Sequence, residues 1–230
     1  MELSELIYMQ SPWLRDNSYY PQEQLLPKRK VFPRLLKETT ELPQITSLIG
    51  IRRTGKSTLL KQVIAQLLKK EDKRKILYFS FEQPTVEESA KTLEEVISFY
   101  FQKVINCQVH RLSEKVYLFL DEIQYIPFWQ DILKRYYDLN KNIKFIISGS
   151  SSLYLSEKAK ESLAGRIFTK YLPPLSFSEY KEIFKNSDIE EFLNFGQFPE
   201  FSAIKDREKK IEYLKDGVVG KVLDIDIVKT

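Results

Sequence analysis

Short apolar runs alternate with longer stretches of helical spacing along most of this chain. The runs 44–49, 76–81, 116–120, 143–147 and 167–172 read as strands, the middle ones almost unbroken in Ile, Leu, Val, Phe and Tyr. Unbroken apolar strands suit a sheet buried on both faces. Between the strands, the pairs Leu59/Leu60, Val63/Ile64 and Leu67/Leu68 recur one helical turn apart. Val86, Ala90, Leu93, Ile97, Phe101 and Val104 predict a long helix over 85–105, and Phe128, Trp129, Ile132, Leu133 and Tyr136 predict another over 127–139. A Ser-rich loop and a short helix lead from Ser150 to Leu163. Strand alternating with helix predicts an α/β fold, a parallel sheet with helices on both faces.

The pattern changes at both ends. After Pro173-Pro174 the segments 177–184, 189–195 and 206–222 look helical, with no further strand. Ahead of the first strand, Leu3, Leu6 and Ile7 mark a short helix that stops before Pro12. Residues 31–42 read as a second one, with Pro33 tolerated in its first turn. The expected division is an N-terminal extension over 1–43, an α/β core over 44–173 and a small helical C-terminal appendage over 174–230.

Composition narrows the class without naming a role. With 43% hydrophobic and 30% charged residues, the chain reads as soluble and globular. No apolar run approaches the roughly 20 residues of a membrane span, and the first residues lack a secretion signal. A single cysteine, Cys107, excludes an internal disulfide and fits a reducing compartment, so a cytoplasmic location is expected. Cys107 and His110 are the sole Cys and His, too few ligands for zinc. A net charge of +4 permits nucleic-acid contact without arguing for it. Lys28-Arg29-Lys30 reads either as a solvated face or as a contact to phosphate or nucleic acid, and together with Lys205 to Lys210 it motivates a DNA or protein partner.

The first strand and the helix after it enclose Gly50-Ile51-Arg52-Arg53-Thr54-Gly55-Lys56-Ser57-Thr58, a G-x-x-x-x-G-K-[ST] loop. Strand, glycine loop and helix form the context in which this pattern holds phosphates. Backbone N–H groups must turn inward toward crowded phosphate oxygens, and the helix start adds its positive dipole end. Lys56 is expected to bridge the β- and γ-phosphates and the Ser57 hydroxyl to hold Mg²⁺. Arg52 and Arg53 lie in the loop, where one phosphate contact and outward salt bridges are equal readings. The third strand ends in Asp121-Glu122, where Asp121 reaches the metal through a water and Glu122 serves as general base for water. Adjacent side chains on a strand point to opposite sides, so the strand must break there for both to serve one site. At the end of the fourth strand, Ser148 is placed to sense the γ-phosphate, with Ser150 as competitor. Arg166, just before the fifth strand, offers a guanidinium to charge developing on phosphate, within its own chain or on a neighbour's nucleotide.

These motifs together resemble a family. The loop G-I-R-R-T-G-K-S-T, the run Leu120-Asp121-Glu122-Ile123-Gln124 with Trp129 after it, Ile147-Ser148-Gly149-Ser150-Ser151, Leu163-Ala164-Gly165-Arg166, and Leu175-Ser176-Phe177-Ser178-Glu179-Tyr180 look like motifs of prokaryotic AAA-type ATPases. Those proteins usually carry a C-terminal domain of unknown function. Phe195-Gly196-Gln197-Phe198-Pro199-Glu200 resembles a further motif, with Gln197 in place of a second glycine. The resemblance implies a three-layer P-loop NTPase fold with sheet order 5-1-4-3-2, ATP with Mg²⁺, hydrolysis, and Arg166 acting in trans within a homo-oligomer. It leaves two readings of activity: an ATPase coupled to a partner, or a nucleotide-responsive DNA- or protein-binding module with little turnover. A small-molecule kinase is disfavoured because Glu122 beside Asp121 favours water as acceptor.

Overall fold

The computed structural model describes residues 2–150, 161–185, 188–204 and 206–215. The expected short helix after Ser150 falls mostly outside these residues, as does the end of the 206–222 helix. Five parallel strands form the sheet: β1 (Ile45–Ile49), β2 (Ile76–Ser80), β3 (Val116–Asp121), β4 (Ile143–Gly149) and β5 (Ile167–Tyr171). Their order is β2-β3-β4-β1-β5, which is 5-1-4-3-2 read from the other edge.

Helices cover both faces. On one side α1 (Leu3–Gln10), α4 (Ala90–Phe99) and α5 (Trp129–Leu139) bury Ile7, Leu93, Ile97, Trp129 and Leu133 against Leu77, Leu118 and Phe145. On the other, α2 (Phe32–Glu41) and α3 (Lys56–Leu67) bury Leu35, Leu60, Val63 and Leu67 against Leu48, Phe119 and Ile146. Beyond β5 come α6 (Phe177–Phe184), α7 (Ile189–Glu191), which runs on as a π-helical turn, and α8 (Arg207–Glu212). Among the described residues no helix is long and apolar enough to cross a membrane.

Two helices begin later than their periodicity suggests. The Ser89 side chain accepts from Thr92 N at 3.2 Å, so α4 starts at a cap rather than at 85, and its last turn widens into a π-helix over Tyr100–Ile105. Phe128 is left-handed (φ 58°), which delays α5 to Trp129.

The N-terminal extension seals one sheet edge. An edge strand presents unpaired N–H and C=O groups, a template for unwanted pairing. Along β2, Gln10 Nε2 donates to Ser80 O (3.2 Å) and its Oε1 accepts from Ser80 N (2.5 Å). Ser11 Oγ donates to Tyr78 O and accepts from Tyr78 N, both at 2.8 Å. Trp13 Nε1 donates to Ile76 O at 2.8 Å.

One core position is a lysine. Lys144 is fully buried in β4, with its ammonium on Thr46 Oγ1 (2.8 Å) and Gln44 O. Burial, helped by the Lys115 cation, lowers its pKa to about 7. An unfolded lysine titrates near 10.4, so between these pH values the unfolded chain binds more protons and stability rises with pH. Lys144→Met is expected to unfold at higher urea than the parent at pH 7, by about 1–3 kcal/mol once the two unpaired acceptors are deducted. That advantage should fall by roughly 1.4 kcal/mol per pH unit toward pH 9.5. A difference that stays constant with pH would disprove the account.

Candidate nucleotide site

The loop after β1 is shaped by its glycines. A Cβ on Gly50 would lie 2.4 Å from Leu172 O, so no other residue fits between β1 and the exit of β5. Gly55 (φ 90°) and Arg53 (φ 64°) both take left-handed angles that fold the loop back on itself. Thr54, buried, closes it with an Oγ1–H bond to Ile51 O at 2.9 Å. α3 then starts at Lys56, its N-terminus directed into the loop. The Lys56 ammonium donates to Gly50 O (3.0 Å) and Ile51 O (3.2 Å) and faces Glu122 Oε1 at 3.8 Å.

The strand break comes at Glu122, whose backbone is left-handed (φ 54°, ψ 44°). This turns its carboxylate toward Lys56 while Asp121 keeps the direction set by β3. Burial, opposed by the Lys56 cation and reinforced by the Asp121 charge, raises the Glu122 pKa above the usual carboxylate range. Gln124 Nε2 donates to Glu122 Oε2 at 2.5 Å and fixes its orientation.

Asp121 is buried behind the cleft wall. Its oxygens accept from Tyr78 OH (2.7 Å), Glu122 N (3.1 Å) and the Ser148 hydroxyl. Ser148 therefore braces Asp121 and is itself fully buried. Ser150 is buried as well.

Arg166 sits elsewhere. It precedes β5, and its carbonyl accepts from Ile45 N at the start of β1, whereas the phosphate loop follows the end of β1. Five residues of strand, about 15 Å, separate the two levels. Its guanidinium forks onto Asp138 at 2.9 and 3.1 Å. The reading in which Arg166 serves its own chain's phosphate site is thereby corrected, because it lies at the opposite end of a parallel sheet.

Two cavities meet at Gly55, Thr58 and Glu200. One of about 280 Å³ is lined by Arg52, Arg53, Lys56, Ser57, Glu82 and Glu122. Its neighbour of about 440 Å³ is mainly apolar, with walls from Leu26 and Pro27 in the N-terminal extension, Leu59 in α3, Ile183 and Phe184 in α6, and Pro199. Apart from the loop and Glu122, sequence reasoning missed these walls, as it missed Tyr78, Glu82 and Tyr125. Tyr78 becomes visible only once β2 is known to lie beside β3.

Among the described residues no cluster of three His, Cys, Asp or Glu side chains forms a metal cage. The available donors, the Ser57 hydroxyl and the carboxylates of Asp121 and Glu122, are hard oxygens too few to enclose an ion. That suits Mg²⁺, which takes one or two protein ligands and completes its shell with water and phosphate.

In the basic cluster Lys28 and Lys30 are exposed, as a solvated face would be, and Arg29 departs from both readings. Arg29 is buried, its Nε and Nη2 on Glu179 Oε1 and Oε2 (2.8 and 3.1 Å), its Nη1 on Thr54 O (2.9 Å) and its Nη2 also on Pro173 O (3.0 Å). Lys30 pairs with Glu182, and Lys28 lies over the Phe32 ring. Lys210 of the second basic stretch is paired with Glu191 at 3.0 Å.

A family model described as an AAA domain matches residues 42–181. The chain belongs to this AAA-domain family, the prokaryotic AAA-type P-loop ATPases. This AAA-domain chain is 35% identical over 195 residues to an uncharacterized protein of Methanocaldococcus jannaschii, covering 80% of itself and 39% of that protein. The chain thus spans less than half the length of the curated relatives it matches. Its fold is similar to the Walker-type ATPase of Pyrococcus abyssi (TM-score 0.55, 20% identity, 91% of this chain and 74% of that one). It is also similar to AMPPCP-bound DnaA from Aquifex aeolicus (TM-score 0.52, 15% identity, 92% and 67%).

Proposed function

We propose that this domain binds ATP with Mg²⁺ and hydrolyses its β–γ bond. The observation that carries the reading is the meeting of Lys56 and Glu122 across 3.8 Å at one wall of the phosphate-sized cleft. On binding, Lys56 exchanges the carbonyls of Gly50 and Ile51 for phosphate oxygens. Ser57, with Asp121 held in place by Tyr78 and Ser148, would hold Mg²⁺. Bound there, the ion would supply Lewis-acid neutralisation of phosphate charge. Glu122 takes a proton from the attacking water, and its raised pKa brings it closer to the working pH. The adenine ring is assigned to the apolar cavity beside Gly55 and Thr58, between Leu26-Pro27 and Ile183-Phe184. Gly55 and Thr58 line both compartments and Thr54 the apolar one. Arg166 lies too far from this cleft to act within its own chain, so a role for it in hydrolysis would require a second copy.

The decisive test is titration of the chain and of Lys56→Ala with ATP, followed by isothermal calorimetry. Loss of the ammonium is expected to weaken ATP by about 30-fold or more, equivalent to roughly 2 kcal/mol for a charge-assisted bond. Equal affinity in the two proteins would remove Lys56 from the site. With Arg29 of the basic cluster engaged internally, hydrolysis rather than DNA-responsive binding is the reading the geometry favours.

A further inference from the structure

Three arginines stand near the motifs of this chain, and the structure separates them. Arg166 lies at the far end of the sheet. Arg53 also lines the phosphate cleft but is engaged there by Glu200 (2.6 Å) and the ring of Tyr213 (4.5 Å to the centroid). Arg52 turns inward. It is buried, lines the phosphate cleft beside Lys56, Ser57 and Glu122, and is braced from two other elements. Its Nη1 donates to Glu82 Oε1 just past β2, and its Nη2 to Tyr125 OH in the turn after β3, both at 2.6 Å. These bonds fix the guanidinium plane before any ligand arrives. Its Nε–H is buried with no acceptor. A buried donor without a partner is unfavourable, and an anion in the cleft that Arg52 lines supplies what it lacks.

We propose that Arg52 reads the terminal phosphate of a nucleoside triphosphate within its own chain, with Glu82 and Tyr125 as the residues that position it. This rests on the ATP reading above and adds to it the group that tells triphosphate from diphosphate. A planar fork held from two sides discriminates by geometry as well as by charge. Glu82 is half-exposed and pairs with Arg52 at 2.6 Å. Lys56 keeps its β-phosphate contact when the γ-phosphate is gone; Arg52 adds affinity where the third phosphate is present.

The test compares binding of ADP and of β,γ-methylene ATP, both with Mg²⁺, to the parent, Arg52→Ala, Arg52→Lys and Tyr125→Phe. Arg52→Ala is expected to lose about 10–100-fold in affinity for the ATP analogue, as for a charge-assisted hydrogen bond. Its affinity for ADP should change by less than about threefold, within the range of a surface substitution. Arg52→Lys recovers part of the discrimination, because the charge remains and the fork is lost. Tyr125→Phe leaves the charge and the fold in place and lowers the ATP-analogue preference by a few-fold; it carries the test alone if Arg52→Ala misfolds. Equal losses for the two nucleotides, or an unchanged preference in every variant, would overturn the assignment while leaving nucleotide binding intact. A parent chain that binds neither nucleotide would end the ATP reading and this inference with it.

Discussion

Glu122→Gln is expected to abolish turnover and spare binding. A positioned general base contributes about 10²–10⁴ in rate, so ATP hydrolysis should fall by that factor in a phosphate-release assay. Affinity for ATP should hold or improve, because the substitution removes the carboxylate that faces the Lys56 ammonium at 3.8 Å and competes with phosphate for it. The pH profile separates a base from a merely structural carboxylate. Burial raises the Glu122 pKa above its ordinary value of 4.5. The base must be ionised to work, so parental kcat/KM rises with pH on an acid limb centred above 4.5, and Glu122→Gln lacks that limb. Undiminished hydrolysis by the variant would take the role of base away from Glu122.

The fold and the phosphate loop were legible because both are written in local pattern. Buried parallel strands read as apolar runs, and Gly50 and Gly55 mark a loop that no other residue can form. Side-chain partners distant in sequence were not legible. Lys28, Arg29 and Lys30 look alike in a row; only Arg29 turns inward, to a Glu179 that lies 150 positions away. Ser148 was placed at the right strand end, but which way its hydroxyl turns depends on Asp121 of the neighbouring strand. The sealing of β2 by Gln10, Ser11 and Trp13 leaves no sequence signature, since any polar side chain at the right height can do it. Arg166 is a different case. A residue that precedes a parallel strand lies at the opposite end of the sheet from one that follows a strand, so its distance from Lys56 follows from the predicted strands alone.

Arg29→Ala is expected to be the most destabilising single change in the chain. Its guanidinium joins four segments: its own extension, the phosphate loop at Thr54, the exit of β5 at Pro173, and α6 through Glu179. Removing one partner of a buried ion pair strands the other charge, at a cost of about 3–5 kcal/mol. For a chain of this size that lowers the melting temperature by roughly 10 °C or more. The pair also carries acid sensitivity. Arg29, with Lys30 N and Ser176 N, holds the Glu179 carboxyl at about 2, whereas an unfolded glutamate titrates near 4.3. Because the folded pKa is the lower one, this stabilisation is complete above about 4.3 and is lost as pH falls toward 2, by up to roughly 3 kcal/mol. Arg29→Ala should flatten that part of the pH–stability curve, whatever its effect at neutral pH. Replacing both partners, as Arg29→Met with Glu179→Leu, leaves no buried charge and should restore most of the stability. It does not restore the bond to Thr54 O, so the recovered protein should still bind ATP more weakly than the parent. Thermal unfolding of the three proteins at pH 7 and pH 3.5 checks the stability claims. A loss below about 1 kcal/mol in Arg29→Ala, the value of an exposed pair, would show that the clamp is not what joins α6 to the phosphate loop.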